Sequence, residues 1–263
     1  MGSSNSRRPG MTLIELVVVL GIIALLMSLV LATVQHCWTL GKDLEDYSEL
    51  LSMHMAVANF NKNGLQDYGN GPGFLPSEFD PSGGDPASAE FIVQLFGSKT
   101  QGKLNLPAAK LQGQQVLVLL LGGPNGTDGW SLDPYDPVNG SGPRVRPFPF
   151  KKERLVYSAA NGYPSYLDCY GTPVAYFSTY HWQNGPGWVA SGYQNDCPGL
   201  GVSPYLNDDR YGWQLISAGG NKRFGQQGAV WTAASAPRVY PAGSDGADDI
   251  SNFGPSYRLC RAR

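Results

Sequence analysis

The order of apolar and polar positions divides the chain into three stretches. From Met11 to Val34 the sequence MTLIELVVVLGIIALLMSLVLATV is almost wholly apolar, and Glu15 is its only ionisable group. At about 1.5 Å per helical residue, such a segment is long enough to cross a hydrocarbon core of about 30 Å. A carboxylate near membrane depth is strongly unfavourable unless a partner meets it, so Glu15 requires one. From Leu40 the pattern takes on helical period. Leu40, Leu44, Tyr47, Leu51, Met55 and Ala58 recur every three or four residues, with Lys42, Glu45, Asp46 and Glu49 on the opposite side. A second apolar row, Leu50, Met53, Val57 and Phe60, opens only in the later half. The helix is therefore predicted to continue past the membrane, packed on its own domain on one side and open to a neighbour on the other. Asn63-Gly64 marks its end.

Residues 64–150 read as loop-rich, with turns punctuated by glycine and proline, as in GNGPGFLPSEFDPSGGDP. Two apolar runs interrupt them, AEFIVQLFG (89–97) and QQVLVLLLGG (114–123). Periodicity cannot separate a buried strand from a short buried helix over the second run, but its leucine-rich composition and glycine stop favour a helix. GGPNGTDG (122–129) lacks the Lys-Ser/Thr ending of a phosphate-binding loop and reads as a surface turn. Strand signals are confined to residues 151–263, in LVYSAA (155–160), PVAYFSTY (173–180) and YGWQLISAG (211–219). The predicted fold class is α+β. A long N-terminal helix is laid on a small antiparallel sheet, followed by a loop-rich C-terminal region.

Composition narrows the function classes. The 263 residues carry a net charge of −2, and no basic patch with interleaved aromatics occurs, so no nucleic-acid partner is expected. The three histidines, His36, His54 and His181, lack a convincing nucleophile partner and do not form a zinc set. The acidic residues are scattered through turns. These features favour a structural subunit over an enzyme. Of the four cysteines, Cys37 lies near the outer end of the apolar segment, and Cys169, Cys197 and Cys260 lie beyond it. Any one pair among the last three is open in an oxidising compartment. The strand and returning loop between Cys169 and Cys197 favour that pair.

The segment Gly10-Met11-Thr12-Leu13-Ile14-Glu15, behind the short basic leader MGSSNSRRPG, resembles the class III signal of type IV pilins and type II secretion pseudopilins. The resemblance implies that a prepilin peptidase cuts between Gly10 and Met11 on the cytoplasmic side and methylates the new Met11 amine. An ordinary secretory signal is cut after a shorter apolar region, whereas here the apolar helix is kept. Glu15 can then pair with its own Met11 amine or with that of a neighbouring subunit. Because a paired buried charge is tolerable and an unpaired one is not, the pair would set axial register. Arg7 and Arg8 place the leader in the cytoplasm. The expected organisation is a leader (1–10), a transmembrane and assembly helix (11–34), its amphipathic continuation (35–63), a variable region (64–150), and the sheet with the C-terminal loop (151–263).

A second resemblance lies near the C-terminus. Asp168-x-x-Gly171-x-Pro173-x-x-Tyr176 is similar to a turn of major pseudopilins, with Tyr170 in place of the usual tryptophan. WQLISAGGNKRFG followed by GADDISNF resembles the loop that holds structural calcium in that family. The resemblance implies carboxylate ligands at Asp248 and Asp249 and carbonyls from Leu215 and Ser217. Asn221 stands where the family has its first loop aspartate, and Asp245 is a substitute ligand within a longer loop. Calcium takes about six to eight oxygen ligands, which such a loop can supply. The resemblance further implies a single-pass protein of the bacterial inner membrane, with a periplasmic C-terminal domain. Its partners would be copies of itself, the prepilin peptidase, other pseudopilins and an inner-membrane assembly platform. A subunit of another type IV pilus (adhesion or DNA uptake), a minor tip pseudopilin, and a membrane-anchored binding domain using the signal only for targeting are the alternative readings.

Overall fold

A single α-helix, α1, runs through Leu13–Gly64, 52 residues, and ends at the predicted glycine. Its start is closed by a reciprocal capping box. The Thr12 N–H donates to Glu15 Oε2 at 2.8 Å, and the Glu15 N–H donates back to Thr12 Oγ1 at 3.3 Å. The computed structural model describes residues 12–64, 79–80, 88, 110–122, 124–125, 129–130, 148–178, 213–225 and 245–252. Gly10, Met11, Cys197, Cys260 and the run 89–97 lie outside the described residues. The chain forms two compact units, Met1–Lys42 and Asp43–Arg263.

In the first unit every described residue through Gly41 is exposed. Leu13–Phe60 is long and apolar enough to cross a membrane, with a mean hydropathy of 2.9 in its most apolar window.

The second unit is built around a short helix that the sequence placed within a loop-rich region. This helix, α2 (Gly113–Gly122), contributes Val116, Leu117, Val118, Leu119 and Leu121, all fully buried. Such a run has no polar stripe because every face is covered. A two-stranded turn follows, β1 (Pro124–Asn125) with β2 (Gly129–Trp130). Next, β3 (Leu155–Tyr157) pairs antiparallel with β4 (Pro164–Tyr166), and β5 (Ala175–Ser178) pairs antiparallel with β6 (Trp213–Ser217). Strand β7 (Ile250–Ser251) adds to the other edge of β6, matching Ile216 with Ser251 and Ser217 with Ile250. Helix α2 packs on β4 and β5. The predicted strands in 155–160, 173–180 and 211–219 are thus present in shortened form. Among the described residues the antiparallel pairing falls into three small pieces.

Helix α1 joins this core through Leu50, Met53, Ala56 and Val57, which pack with Phe79, Leu111, Tyr166 and Leu215. The first apolar row stays largely outside, with Leu44, Leu51 and Met55 exposed. The side read as polar instead faces the domain, because Asp43 and Asp46 are buried in line with Leu50 and Met53. The domain meets that side with hydrogen-bond donors, which satisfy acids that water would otherwise solvate.

Candidate functional site

The acidic row of α1 is matched group by group by the turn after β4, by Tyr166 of β4 and by the 3-10 turn Lys152–Arg154 with Lys151 before it. Asp43 accepts the Tyr170 hydroxyl, and Asp46 Oδ1 accepts the Cys169 N–H at 3.1 Å. Glu49 accepts the Tyr166 hydroxyl at 2.8 Å and pairs with Arg154, which also reaches Glu45 at 2.6 Å. Lys151 Nζ adds contacts of 3.4 and 3.2 Å to Glu45 and Glu49. Burial opposes the charge of Arg154, but the Glu49 carboxylate outweighs it and keeps the guanidinium protonated. Burial, reinforced by the Asp168 carboxylate, pushes Asp46 up to about 6.

The opposing turn carries the residues of the second resemblance. Asp168 Oδ1 accepts the N–H groups of Tyr170 (2.9 Å) and Thr172 (2.8 Å), and its Oδ2 accepts the Ser217 hydroxyl at 2.8 Å. Gly171 sits at φ 89, in the region that a side chain would strain, and Leu167 bridges to Pro173 to close the turn. Tyr176 is fully buried in the core.

Cys169, in this turn, has a free thiol; Cys197, its expected partner, lies outside the described residues. Its sulfur lies with carboxylate oxygens of Asp46 and Glu49 inside a 4.8 Å group. Burial and the Asp46 carboxylate push the thiol up to about 12, so it stays protonated and is a poor nucleophile. Arg154 supplies the positive charge that Glu49 requires, and this describes a structural ion pair.

The C-terminal oxygen donors come together on two facing segments. Asp248 Oδ2 accepts the Asn221 N–H at 2.7 Å, and Asp249 Oδ2 accepts the Gly225 N–H at 2.9 Å. The Asn221 amide donates to the Asp245 carbonyl at 2.7 Å, while its oxygen accepts the Arg223 N–H at 2.6 Å. Gly219, at φ 64, makes this closeness possible, since a Cβ there would overlap the Asp248 carbonyl. The three carboxylates of Asp245, Asp248 and Asp249 suit a hard cation by donor chemistry. Asn221 is committed to the loop's own hydrogen bonds. Leu215 and Ser217 lie in β6, the Leu215 carbonyl accepting the Asn252 N–H and the Ser217 hydroxyl serving Asp168. Asp248 and Asp249 likewise each give one carboxylate oxygen to the loop's own N–H groups.

At the N-terminus, Glu15 Oε2 takes both the Thr12 N–H (2.8 Å) and the Thr12 hydroxyl (3.0 Å).

Residues 5–31 match the family described as the prokaryotic N-terminal methylation motif. No curated protein and no solved structure matches the chain. The chain thus carries a class III prepilin signal, and its long apolar helix fits a type IV pilin-like, membrane-anchored subunit. The motif points to a structural protein, processed by a prepilin peptidase and assembled with other pilins.

Proposed function

We propose that the chain is a pseudopilin of a type II secretion system. It is cut after Gly10, methylated at Met11 and assembled through α1, with the domain carried in the periplasm. The observation that carries this reading is the prepilin motif placed directly on a helix whose membrane-length half is exposed throughout. The use of Asp168, Gly171 and Pro173 in one closed turn supports the pseudopilin form over other type IV filaments. In this reading Glu15 has two jobs. One oxygen caps its own helix, and the other receives the Met11 amine of an adjacent subunit. Calcium held by Asp245, Asp248 and Asp249 would tie the C-terminal turn to the loop after β6.

The test separates the two jobs of Glu15. The full chain is expressed with a prepilin peptidase and assembly components, and crosslinked ladders are compared for wild type, Glu15→Gln and Glu15→Ala. Glutamine retains the capping-box acceptor but not the charge. We expect all three to be cleaved, and only wild type to give a ladder. A full ladder from Glu15→Gln would reduce Glu15 to a cap. A cleaved wild type that stays monomeric would end the filament reading.

A further inference from the structure

His54 projects from the domain-facing half of α1, half-buried, beside the end of β7. From β6 the Trp213 indole stacks on it, with ring centroids 5.0 Å apart and planes 37° apart. From the residue after β7, the Asn252 amide nitrogen lies 3.0 Å from His54 Nδ1. Neither of these facing groups is charged.

The orientation of Asn252 is not free. Its Oδ1 accepts the Leu215 N–H at 2.8 Å in the interior, so its NH2 group must be the end that faces the imidazole. That NH2 group also reaches the Trp213 carbonyl at 3.4 Å. An amide NH2 can only donate, so Nδ1 of His54 must accept, and the ring must be the neutral form with its proton on Nε2. Strand β7 itself is two residues long. Asn252 therefore supplies a large part of what fastens this segment to β6.

We propose that His54 and Asn252 form a proton-sensitive clasp, in which protonation of the imidazole frees β7 and the Asp245–Ala247 turn before it. A protonated Nδ1 would present N–H to N–H. The amide can flip only by giving up Leu215, and the ring can turn away only by giving up Trp213. The face of Trp213 attracts a cation, which offsets part of this loss without restoring the hydrogen bond. Burial already lowers the His54 pKa below its ordinary value, so the neutral form belongs to the folded state. The clasp is complete above about pH 6.5, the unfolded histidine value, and is lost as pH falls from there through the folded value.

Hydrogen–deuterium exchange on the full chain in detergent micelles tests this, at neutral pH and at about pH 5, with intrinsic rates divided out. The proteins are wild type and His54→Asn, which places an amide oxygen near the Nδ1 position and cannot titrate. We expect acidification to speed wild-type exchange in Trp213–Ser217 and Ile250–Asn252 about fivefold, the scale of one lost hydrogen bond. His54→Asn should keep its protection. Equal wild-type protection at both pH values would overturn the proposal. So would the same acid loss in His54→Asn, which would assign the effect to another titrating group. An NMR titration of the wild-type His54 ring gives a check that needs no variant. A midpoint below about 6.5 is expected, and one at or above it overturns the clasp.

Discussion

Replacing Arg154 by methionine removes the cation that holds Glu49 and Glu45 of α1 against the start of β3. The Arg154 and Glu49 side chains are 16% and 11% exposed, so the pair lies between a surface contact and a buried one. Losing one partner of a buried pair costs about 3–5 kcal/mol, while an exposed pair contributes about 0–1 kcal/mol. Two features of the structure moderate the loss. Lys151 Nζ remains 3.2 Å from Glu49, and the Tyr166 hydroxyl still donates at 2.8 Å. We therefore expect Arg154→Met to destabilise the domain by about 2 kcal/mol, or about 4–8 °C for a domain of this size. Glu49→Met leaves the guanidinium with Glu45 alone, at 2.6 Å, and should cost a similar amount. The double variant removes both charges and should cost less than the sum, with a coupling of about 1–2 kcal/mol. Urea unfolding of the full chain in detergent, followed by tryptophan fluorescence at neutral pH, measures all four corners of the cycle. Additive single effects, or an Arg154→Met loss below about 0.5 kcal/mol, would refute the reasoning.

Two further outcomes follow from the same face of the domain and from its C-terminal turn. The Asp46 carboxyl is raised to about 6, so the folded state holds its proton more tightly than the unfolded chain does. Its contribution is complete below about pH 4, the unfolded value, and is lost as pH rises through the folded one. Asp46→Asn keeps the acceptor for the Cys169 N–H and should gain on the order of 2 kcal/mol at neutral pH, flattening the stability profile over that window. Thermal unfolding at a series of pH values checks this, and a variant less stable than wild type at neutral pH would refute it. For calcium, saturating ion at about a hundredfold above its Kd should raise stability by about 2.7 kcal/mol, reversed by chelation. Asp248→Asn should lose most of that gain. No calcium-dependent shift in the wild type would remove the ion from the proposal.

The helix was legible in the sequence because its signals are local. An apolar run of membrane length, a helical stripe beyond it and a final glycine each act over a few residues. The strands at Leu155–Tyr157, Ala175–Ser178 and Trp213–Ser217 were legible for the same reason, through their aromatic and branched residues. Strand β7 was hidden because two residues leave no pattern. The buried face of α1 was misread for a different reason. Glu45, Asp46 and Glu49 read as the side away from the apolar row until the turn at Asp168–Thr172 and the Arg154 side chain supply their partners, more than a hundred positions away in sequence. The central place of α2 was equally hidden, since an apolar run among glycine-rich loops does not say what it packs against. The candidate loop lay between these cases. Its acidic residues could be named in advance, but the commitment of Asn221 to Asp245 and Arg223 emerged only with the backbone in place.

The spacing of Asp43, Asp46 and Glu49 gives α1 a mechanical character. Three residues apart at a rise of about 1.5 Å per residue, they fasten the helix to the domain at intervals of about 4.5 Å. Each bond ends on a different place in the domain: the Tyr170 hydroxyl, the Cys169 backbone, and the Tyr166–Arg154 pair. A pull along the helix axis therefore loads all three in shear at once, rather than peeling them one after another. The domain is thus fitted to be dragged or pushed by its own helix without coming loose from it.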